Sequence, residues 1–177
     1  HFVDANGNHV FDNGETLIGS FDYAFNADGS KQNVVEKNDL GQVTNIAWTY
    51  DNLNRLTRES YVGFDAAGAS LSYRDTFVMD RTGNRLTLIH DDGTGNHSVL
   101  YTNTSTYDAN DRQLTETHDA TDDTKDTFTV YTWGANNTGT GQTQQNVYAG
   151  LSADAAHLQN LTNFTYDTRG RLSQSRS

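Results

Sequence analysis

The chain has 177 residues, a formal net charge of −11, 34% hydrophobic residues, and neither cysteine nor proline. Without cysteine, disulfides and thiolate metal sites are excluded, and an acidic chain with three lysines disfavours nucleic acid as a partner. No apolar run is long enough to cross a bilayer, so we expect no membrane insertion.

Small polar residues dominate the composition. Thr, Asp, Asn, Gly and Ser together make up about half of the chain. Thr favours strands, whereas Asn, Asp and Gly favour tight turns. The composition therefore predicts an all-β fold of many short strands joined by many turns.

Eight short segments repeat one pattern along the chain. An aromatic or apolar residue is followed by Asp or Asn, two variable residues, Gly or Asn, a polar or basic residue, and usually Leu or Val. The copies lie near 3–10, 25–31, 37–43, 50–56, 79–86, 107–114, 133–139 and 166–172. We therefore expect residues 1–177 to form a single repeat array.

Each copy predicts a β-hairpin turn. The Asp or Asn side chain can accept a backbone N–H two residues on, and a positive φ is expected at Gly41, Asn54, Gly83 and Gly170. The flanking aromatic residue and Leu should then share the core face. Alternating patterns predict strands over 44–50, 57–62, 72–79, 86–90, 99–107 and 128–133. A single short helix is expected near 152–161, with Ser152 as its N-cap.

Four copies, YDNLNRL, MDRTGNRL, YDANDRQL and YDTRGRL, closely resemble YD repeats, also called rearrangement-hotspot or Rhs repeats. This family occurs in bacterial toxin-delivery proteins, wall-associated proteins and the extracellular part of teneurins. The resemblance implies tandem hairpins in a twisted, spiralling sheet, which in larger members forms a hollow shell around a cargo. It assigns a structural role to Tyr50, Asp51, Arg55, Leu56, Asp80, Gly83, Arg85, Leu86, Tyr107, Asp108, Leu114, Tyr166, Asp167, Gly170 and Leu172.

Calcium is the one cofactor that the sequence suggests. Five oxygen-bearing residues fall at positions 1, 3, 5, 9 and 12 of a twelve-residue loop, the spacing of a calcium-binding loop: Asp4, Asn6, Asn8, Asp12 and Glu15. However, His9 occupies the sixth position, where the sharp turn favours Gly, and 3–10 also matches the hairpin pattern. A second acidic loop, with Asp119, Asp122, Asp123 and Asp126, is either a similar site or an exposed connection.

Catalytic patterns are missing from the sequence. It contains no G-x-S-x-G, H-E-x-x-H or G-x-x-x-x-G-K-[ST] motif, and its six histidines are scattered. The many carboxylates are explained by turns. We therefore expect a protein that is not an enzyme.

Two further features concern glycans. Five N-x-[ST] sequons are glycosylation candidates: Asn96, Asn103, Asn136, Asn160 and Asn163. Five aromatic residues at motif positions form either the repeat core or a platform on which sugars stack: Trp48, Tyr50, Tyr107, Trp133 and Tyr166.

The first functional hypothesis is an extracellular or cell-surface structural protein. Open edge strands are templates for pairing, and no proline blunts them here. The chain would then join end to end with copies of itself or with adjoining YD repeats, giving a fibre, shell or surface scaffold. The alternatives are a carbohydrate- or partner-binding segment of a bacterial adhesin, or part of a toxin-encapsulating Rhs shell.

Overall fold

The computed structural model describes residues 2–10, 12–134, 141–167 and 171–177, with the backbone alone at Thr16 and Leu17. This part of the chain contains fourteen strands: β1 Phe2–Val3, β2 Thr16–Leu17, β3 Gly19–Phe25, β4 Lys31–Asn38, β5 Val43–Tyr50, β6 Leu56–Phe64, β7 Ser70–Met79, β8 Arg85–Asp91, β9 Val99–Tyr107, β10 Gln113–Ala120, β11 Thr127–Trp133, β12 Gln142–Ala149, β13 Leu158–Tyr166 and β14 Leu172–Arg176. Its helical segments are two 3₁₀ turns, Asp123–Lys125 and Ala155–His157.

Strand β1 pairs with β2, and the other twelve strands form one open antiparallel sheet in which neighbouring strands follow one another in the chain. The predicted all-β fold of tandem hairpins is thereby confirmed. Every strand that the sequence predicted is present, and its ends are shifted by two residues at most.

The helix predicted near 152–161 is wrong in type and extent. A 3₁₀ turn covers Ala155–His157, and its N-cap is Asp154 rather than Ser152. From Leu158 the chain is strand β13, which pairs with β12. One turn of helix fixes several dihedrals for very few hydrogen bonds, so pairing with a neighbouring strand determines the conformation here.

Positive φ angles occur where the hairpin turns require them. The values are +76° at Gly41, +58° at Asn54 and +104° at Gly83, which confirms three of the four predicted positions. Gly170 lies outside the described residues, as does most of the copy at 133–139.

The chain forms two compact units. Unit 1 comprises residues 1–77 and 90–98, and unit 2 comprises residues 78–89 and 99–177. Each unit has its own central row of side chains, contributed by successive strands in register.

The central row of unit 1 is apolar and aromatic. One side chain from each of β3 to β7 contributes to it: Tyr23, Val34, Ile46, Tyr61 and Tyr73. The Tyr61 and Tyr73 rings stack with centroids 5.0 Å apart. Among the described hydrophobic residues only Val34 is fully buried, with 1% of its surface exposed. Most apolar side chains of the described sheet therefore remain partly in contact with solvent.

The central row of unit 2 is mostly polar. It runs from β9 to β13 through Ser105, Glu116, Thr129, Val147 and Asn160. Thr129 is its most buried member, with 8% of its surface exposed. The same hairpin architecture is thus built on two different row chemistries.

The expectation that Leu and the aromatic residue of each copy share a face holds at Tyr50, which pairs with Leu56, and at Tyr166, which pairs with Leu172. It fails at Leu114. Tyr107 pairs with Gln113, and the register then shifts, so Leu114 is the extra residue of a β-bulge. A bulge redirects its side chain, and Leu114 is accordingly exposed.

Candidate functional site

The motif turns share one hydrogen-bond arrangement, seen first at Asp51. Its Oδ1 accepts the backbone N–H groups of Leu53 and Arg55, at 2.8 and 3.0 Å. The Arg55 Nε donates to Asp51 Oδ2 at 2.7 Å. The Asn54 N–H donates to the Asp51 carbonyl at 3.0 Å, which closes the turn. One carboxylate therefore satisfies the turn backbone and holds the arginine.

The same arrangement recurs at two further copies. Arg112 Nε donates to Asp108 Oδ2 at 2.7 Å, and Arg171 Nε donates to Asp167 Oδ2 at 2.8 Å. These contacts support the structural role assigned to Asp51, Asp108 and Asp167: the first two organise their own turns, and Asp167 accepts from Arg171.

The copy at 79–86 uses a different partner. Asn84 Nδ2 donates to Asp80 Oδ2 at 2.8 Å. This copy has one residue more between Asp and Arg, so Asn84 stands at the position of Arg55, and Arg85 is the first residue of strand β8. Gly83 lies in the turn, where its N–H donates to Asp80 Oδ1.

One copy of the turn was missed in the sequence. Asp65 Oδ1 accepts the N–H groups of Ala67 and Ala69, both at 2.9 Å, and Gly68 has a φ of +82°. The segment FDAAG at 64–68 has the aromatic residue, the Asp and the Gly of the repeat pattern in the expected order. Ala69 stands where other copies have a polar side chain, so this turn lacks the side-chain hydrogen bond that Arg55 and Arg112 donate to their aspartates.

Hydrogen bonds to these carboxylates favour their charged forms. In Asp80, the Asn84 amide is the largest cause and lowers the pKa to about 2. The pKa of Asp51 is lowered chiefly by the backbone N–H of Arg55, and that of Asp108 chiefly by the Arg112 side chain. Each of these carboxylates therefore keeps its charge to a lower pH than a free aspartate does.

The loop suggested for calcium is closed by hydrogen bonds. Asp4 accepts the N–H groups of Gly7 and His9. Asn6 and Asn8 donate to Asp12, which lowers its pKa, and Glu15 accepts from Ala5 and Asp12. Segment 3–10 is also not a tight hairpin, because β1 pairs with β2 across the whole loop. Among the residues described, no group of three or more acidic or histidine side chains could hold a metal ion.

The second acidic loop is a connection between strands. Asp122 caps the 3₁₀ turn at Thr124 and forms an ion pair with Lys125 at 3.2 Å. The nearly buried Asp126 accepts the Ala120 N–H at 2.8 Å. Asp119 and Asp123 lie in the same segment, but the contacts of Asp122 and Asp126 serve the backbone rather than a shared ligand.

The sequons lie in different settings. Asn96 is exposed in the loop after β8, and Asn160 and Asn163 are exposed on β13. The Asn103 amide oxygen lies 2.6 Å from His118 Nδ1, in the neighbouring strand. Asn136 lies outside the described residues. Glycosylation stays a prediction, and Asn96 is the exposed sequon that lies in a loop rather than in a strand.

A polar network crosses unit 1 beside its central row. Glu59 accepts the Trp48 indole N–H at 2.8 Å and the Tyr73 hydroxyl at 3.2 Å. Burial and, next, the charge of Glu59 raise the pKa of Tyr73 to about 12. Asp75 lies 2.6 Å from His90 Nδ1. The hydrogen bond from the Trp48 indole N–H to Glu59 therefore stays within the sheet and fixes the orientation of the Trp48 ring.

Unit 2 contains a matching network around Glu116. Its carboxylate accepts the Tyr131 hydroxyl at 3.1 Å and the Gln113 amide at 3.2 Å. Burial, followed by the charge of Glu116, raises the pKa of Tyr131 to about 12. A half-buried glutamate that accepts a tyrosine hydroxyl is thus common to both units.

Neighbouring strands separate where a motif turn begins, and we call each such wedge a fork. Backbone pairing between β4 and β5 ends at Asn33↔Ala47, although the strands continue to Lys31 and Tyr50. Pairing of β10 with β11 and of β12 with β13 stops short of the strand ends in the same way. The backbone groups inside a fork need another partner.

The forks of unit 2 are closed by motif rings. Trp133 Nε1 donates to the Gln113 carbonyl at 2.7 Å, and Tyr166 Oη donates to the Gln142 carbonyl at 2.8 Å. Tyr107 Oη donates to the Arg85 carbonyl at 3.2 Å. In every case the acceptor is the first residue of the neighbouring strand. Tyr107, Trp133 and Tyr166 therefore serve the sheet itself.

The fork between β4 and β5 differs, and we call it the open fork. Tyr50 occupies the ring position, and Lys31 is the first residue of β4, yet the Tyr50 hydroxyl bonds to none of the described residues. An opening of about 670 Å³ lies there, lined by both turns and by Gln32, Trp48 and Tyr50. Of the five motif rings, Tyr50 alone combines a free polar group with a cavity.

No family model and no curated protein matches the chain. Its structure is similar to a chain of the Tc holotoxin pore of Photorhabdus luminescens, with a TM-score of 0.59 and 18% identity over 89% of this chain and 8% of that chain. It is also similar to a chain of a TcdB2–TccC3 crystal structure, with a TM-score of 0.57 and 18% identity over 90% of this chain and 8% of that one.

This likeness concerns the fold. It supports the Rhs-like repeat fold that the motif copies predict, and the chain spans about 8% of the toxin chains that it matches. No helix in the described part of the chain is long and apolar enough to cross a membrane.

Proposed function

We propose that this chain is a non-enzymatic structural segment of the YD-repeat family, and that it extends a larger sheet by strand pairing at β3 and β14. Its setting would be an extracellular or cell-surface shell or scaffold. Pairing with adjoining repeats would build a shell, whereas head-to-tail pairing with identical copies would build a fibre.

The observation that carries this proposal is the exposure of the outer strands. Strands β3 and β14 end the strand order, so each has one strand neighbour among the described residues. On β3 the side chains of Phe21 and Phe25 are 53% and 57% exposed, and all five residues of β14 are exposed. An apolar outer strand without proline or lysine favours pairing with a further strand.

The solved relatives support the same conclusion. In the toxin chains the matching region is 8% of the length, so there this fold is one part of a longer polypeptide. Since only Val34 among the described hydrophobic residues is fully buried, the sheet also has apolar surface that further layers or strands could cover.

The test is sedimentation velocity across a concentration series. The unmodified chain should self-associate as its concentration rises, because its outer strands are unprotected. The double variant Phe21→Lys with Phe25→Lys should stay monomeric, since charged side chains on an outer strand oppose pairing. Val43→Lys, on the inner strand β5, is the matched control and should self-associate as the unmodified chain does.

Two results would contradict the proposal. One is a chain that stays monomeric up to its solubility limit. The other is self-association that the β3 variant and the β5 control reduce equally. Electron microscopy of the associated material then separates fibres from closed particles.

A further inference from the structure

The open fork lacks a hydrogen bond that the motif rings of unit 2 form. At the closed forks a ring hydroxyl or indole N–H meets the first carbonyl of the neighbouring strand at 2.7 to 3.2 Å. At the open fork the Tyr50 hydroxyl has no such bond to the described residues, and an opening of about 670 Å³ remains. Small-molecule sites typically occupy ~300–1,000 Å³.

A bulge places a free amide at this opening. Phe25 pairs with Lys31 and Ala24 with Asn33, so Gln32 is the extra residue on β4. Bulged residues turn their side chains away from the regular alternation. Gln32 lines the opening, and its amide makes no hydrogen bond to the described residues. The Asn54 side chain, on the opposite turn, is equally free.

The charged groups of the lining are already satisfied. Asp51 accepts from its own turn and from Arg55, and Asp28 accepts both the N–H and the hydroxyl of Ser30. What remains available is neutral: the amides of Gln32 and Asn54, the Tyr50 hydroxyl, and two aromatic rings. Beside this lining, the Lys31 ammonium lies 5.8 Å from the centroid of the Trp48 ring and 5.1 Å from that of the Tyr23 ring.

We propose that the open fork binds a neutral saccharide. Tyr50 and Trp48 supply ring surfaces for the apolar face of a sugar, and Glu59 holds the Trp48 ring in place through its indole N–H. The amides of Gln32 and Asn54 and the Tyr50 hydroxyl can each both donate and accept, which suits sugar hydroxyls. This inference is independent of strand pairing at β3 and β14.

An extended peptide fits the opening less well. A peptide that adds to a sheet needs a straight run of unpaired backbone. The segments that do not pair with each other across the fork are 31–32 of β4 and 48–50 of β5, shorter than a typical strand of ~5–6 residues. Their strands also diverge, so one added strand cannot pair with both.

The test is NMR titration of the ¹⁵N-labelled chain with maltose, cellobiose and di-N-acetylchitobiose. We expect at least one of them to bind in the millimolar range, with shift changes concentrated in 26–33 and 45–54. Tyr50→Phe and Gln32→Ala should each weaken that binding about fivefold, the effect of one lost hydrogen bond of about 1 kcal/mol. Neither the Tyr50 nor the Gln32 side chain forms a hydrogen bond to the described residues, so we expect both variants to fold as the unmodified chain does.

Tyr166→Phe is the matched control, because it removes a ring hydroxyl from a closed fork. It should leave saccharide affinity unchanged. The inference is overturned if none of the three sugars shifts the fork resonances, if the shifts lie elsewhere, or if Tyr50→Phe binds as tightly as the unmodified chain. It is equally overturned if an extended tyrosine-containing peptide binds at the fork and the sugars do not.

Discussion

Units 1 and 2 use the same Asx turn but differ in what occupies the fork behind it. In unit 2 a motif ring closes each described fork onto a backbone carbonyl, as Trp133 does at Gln113 and Tyr166 at Gln142. In unit 1 the ring of Tyr50 stands beside an opening. The turn is thus common to both units, whereas the ring behind it bonds to a neighbouring strand in unit 2 and makes no such bond to the described residues at Tyr50.

The rows beside the forks follow the same division. Unit 1 stacks tyrosines next to Val34 and Ile46, so its row has enclosed apolar contacts of its own. Unit 2 has a polar row, so apolar packing contributes less to holding its strands together than it does in unit 1. The hydrogen bonds from Trp133 and Tyr166 to backbone carbonyls therefore matter more there. Unit 2 should therefore be more sensitive to loss of a motif ring than unit 1.

The largest effect is expected from Trp133→Ala. The variant loses the bond to Gln113 and the stacking of Arg112, whose Cζ lies 5.7 Å from the ring. We expect the free energy of unfolding to fall by about 3 kcal/mol, the lower end for a large-to-small change at an aromatic residue. Urea denaturation measures it. Tyr50→Ala is the matched change at the open fork, and an equal loss of stability there would contradict the difference between the two units.

A smaller effect is expected from Gly141→Ala. A Cβ at this position would lie 2.7 Å from the Tyr166 ring, so the ring must move and its bond to Gln142 is lost. The cost should be about 2 kcal/mol, as for other overpacked sites. Gly95→Ala is the control, because its Cβ would meet nothing within 4 Å. Thermal unfolding of the two variants should differ clearly, and equal melting temperatures would contradict a closed fork.

A still smaller effect is expected when a motif tyrosine loses only its hydroxyl oxygen. Tyr166→Phe should destabilise the chain by about 1 kcal/mol, because the Gln142 carbonyl loses its donor. Tyr50→Phe should leave stability unchanged, since its hydroxyl bonds to no described residue. Denaturant midpoints of both variants measure the difference, and a loss at Tyr50 similar to that at Tyr166 would show that its fork is closed too.

The smallest effect is the ionisation of two tyrosines, which changes stability only at alkaline pH. Tyr73 and Tyr131 have pKa values raised from 10.0 to about 12, so the folded state keeps protons that the unfolded chain loses above pH 10. Stability is therefore fully present below pH 10 and should fall as the pH rises towards 12. Melting curves through this range measure it. A double Tyr73→Phe and Tyr131→Phe variant should show a flatter dependence, and an unchanged slope would contradict the account.

The turns and many strands could be predicted from the sequence because their causes are local. An Asx residue followed by Gly or Asn creates the turn wherever it stands, as at Asp51 and Asn38. Strand β9 was predicted with its observed ends. Strand β12, QTQQNVYA, was missed because its polar residues give no apolar alternation, and pairing with β11 and β13 alone makes it a strand.

The forks could not be predicted, because they depend on contacts between strands. Register and bulge do not distinguish the open fork from the closed ones, because pairing ends alike at Asn33↔Ala47, Thr115↔Val130 and Gln144↔Asn163. Gln32, Leu114 and Thr143 are equivalent bulged residues, which also accounts for the exposed position of Leu114. The difference at Tyr50 is that its hydroxyl bonds to none of the described residues, and the motif does not show this.

The most direct test of this account is the exchange rate of tyrosine hydroxyl protons, measured by NMR on a chain labelled with ¹³Cζ-tyrosine. Tyr166 and Tyr107 should exchange slowly, because their hydroxyls donate to the carbonyls of Gln142 and Arg85. Tyr50 should exchange fast in the free chain and slowly once a saccharide is bound. A Tyr50 hydroxyl as protected in the free chain as that of Tyr166 would contradict the open fork.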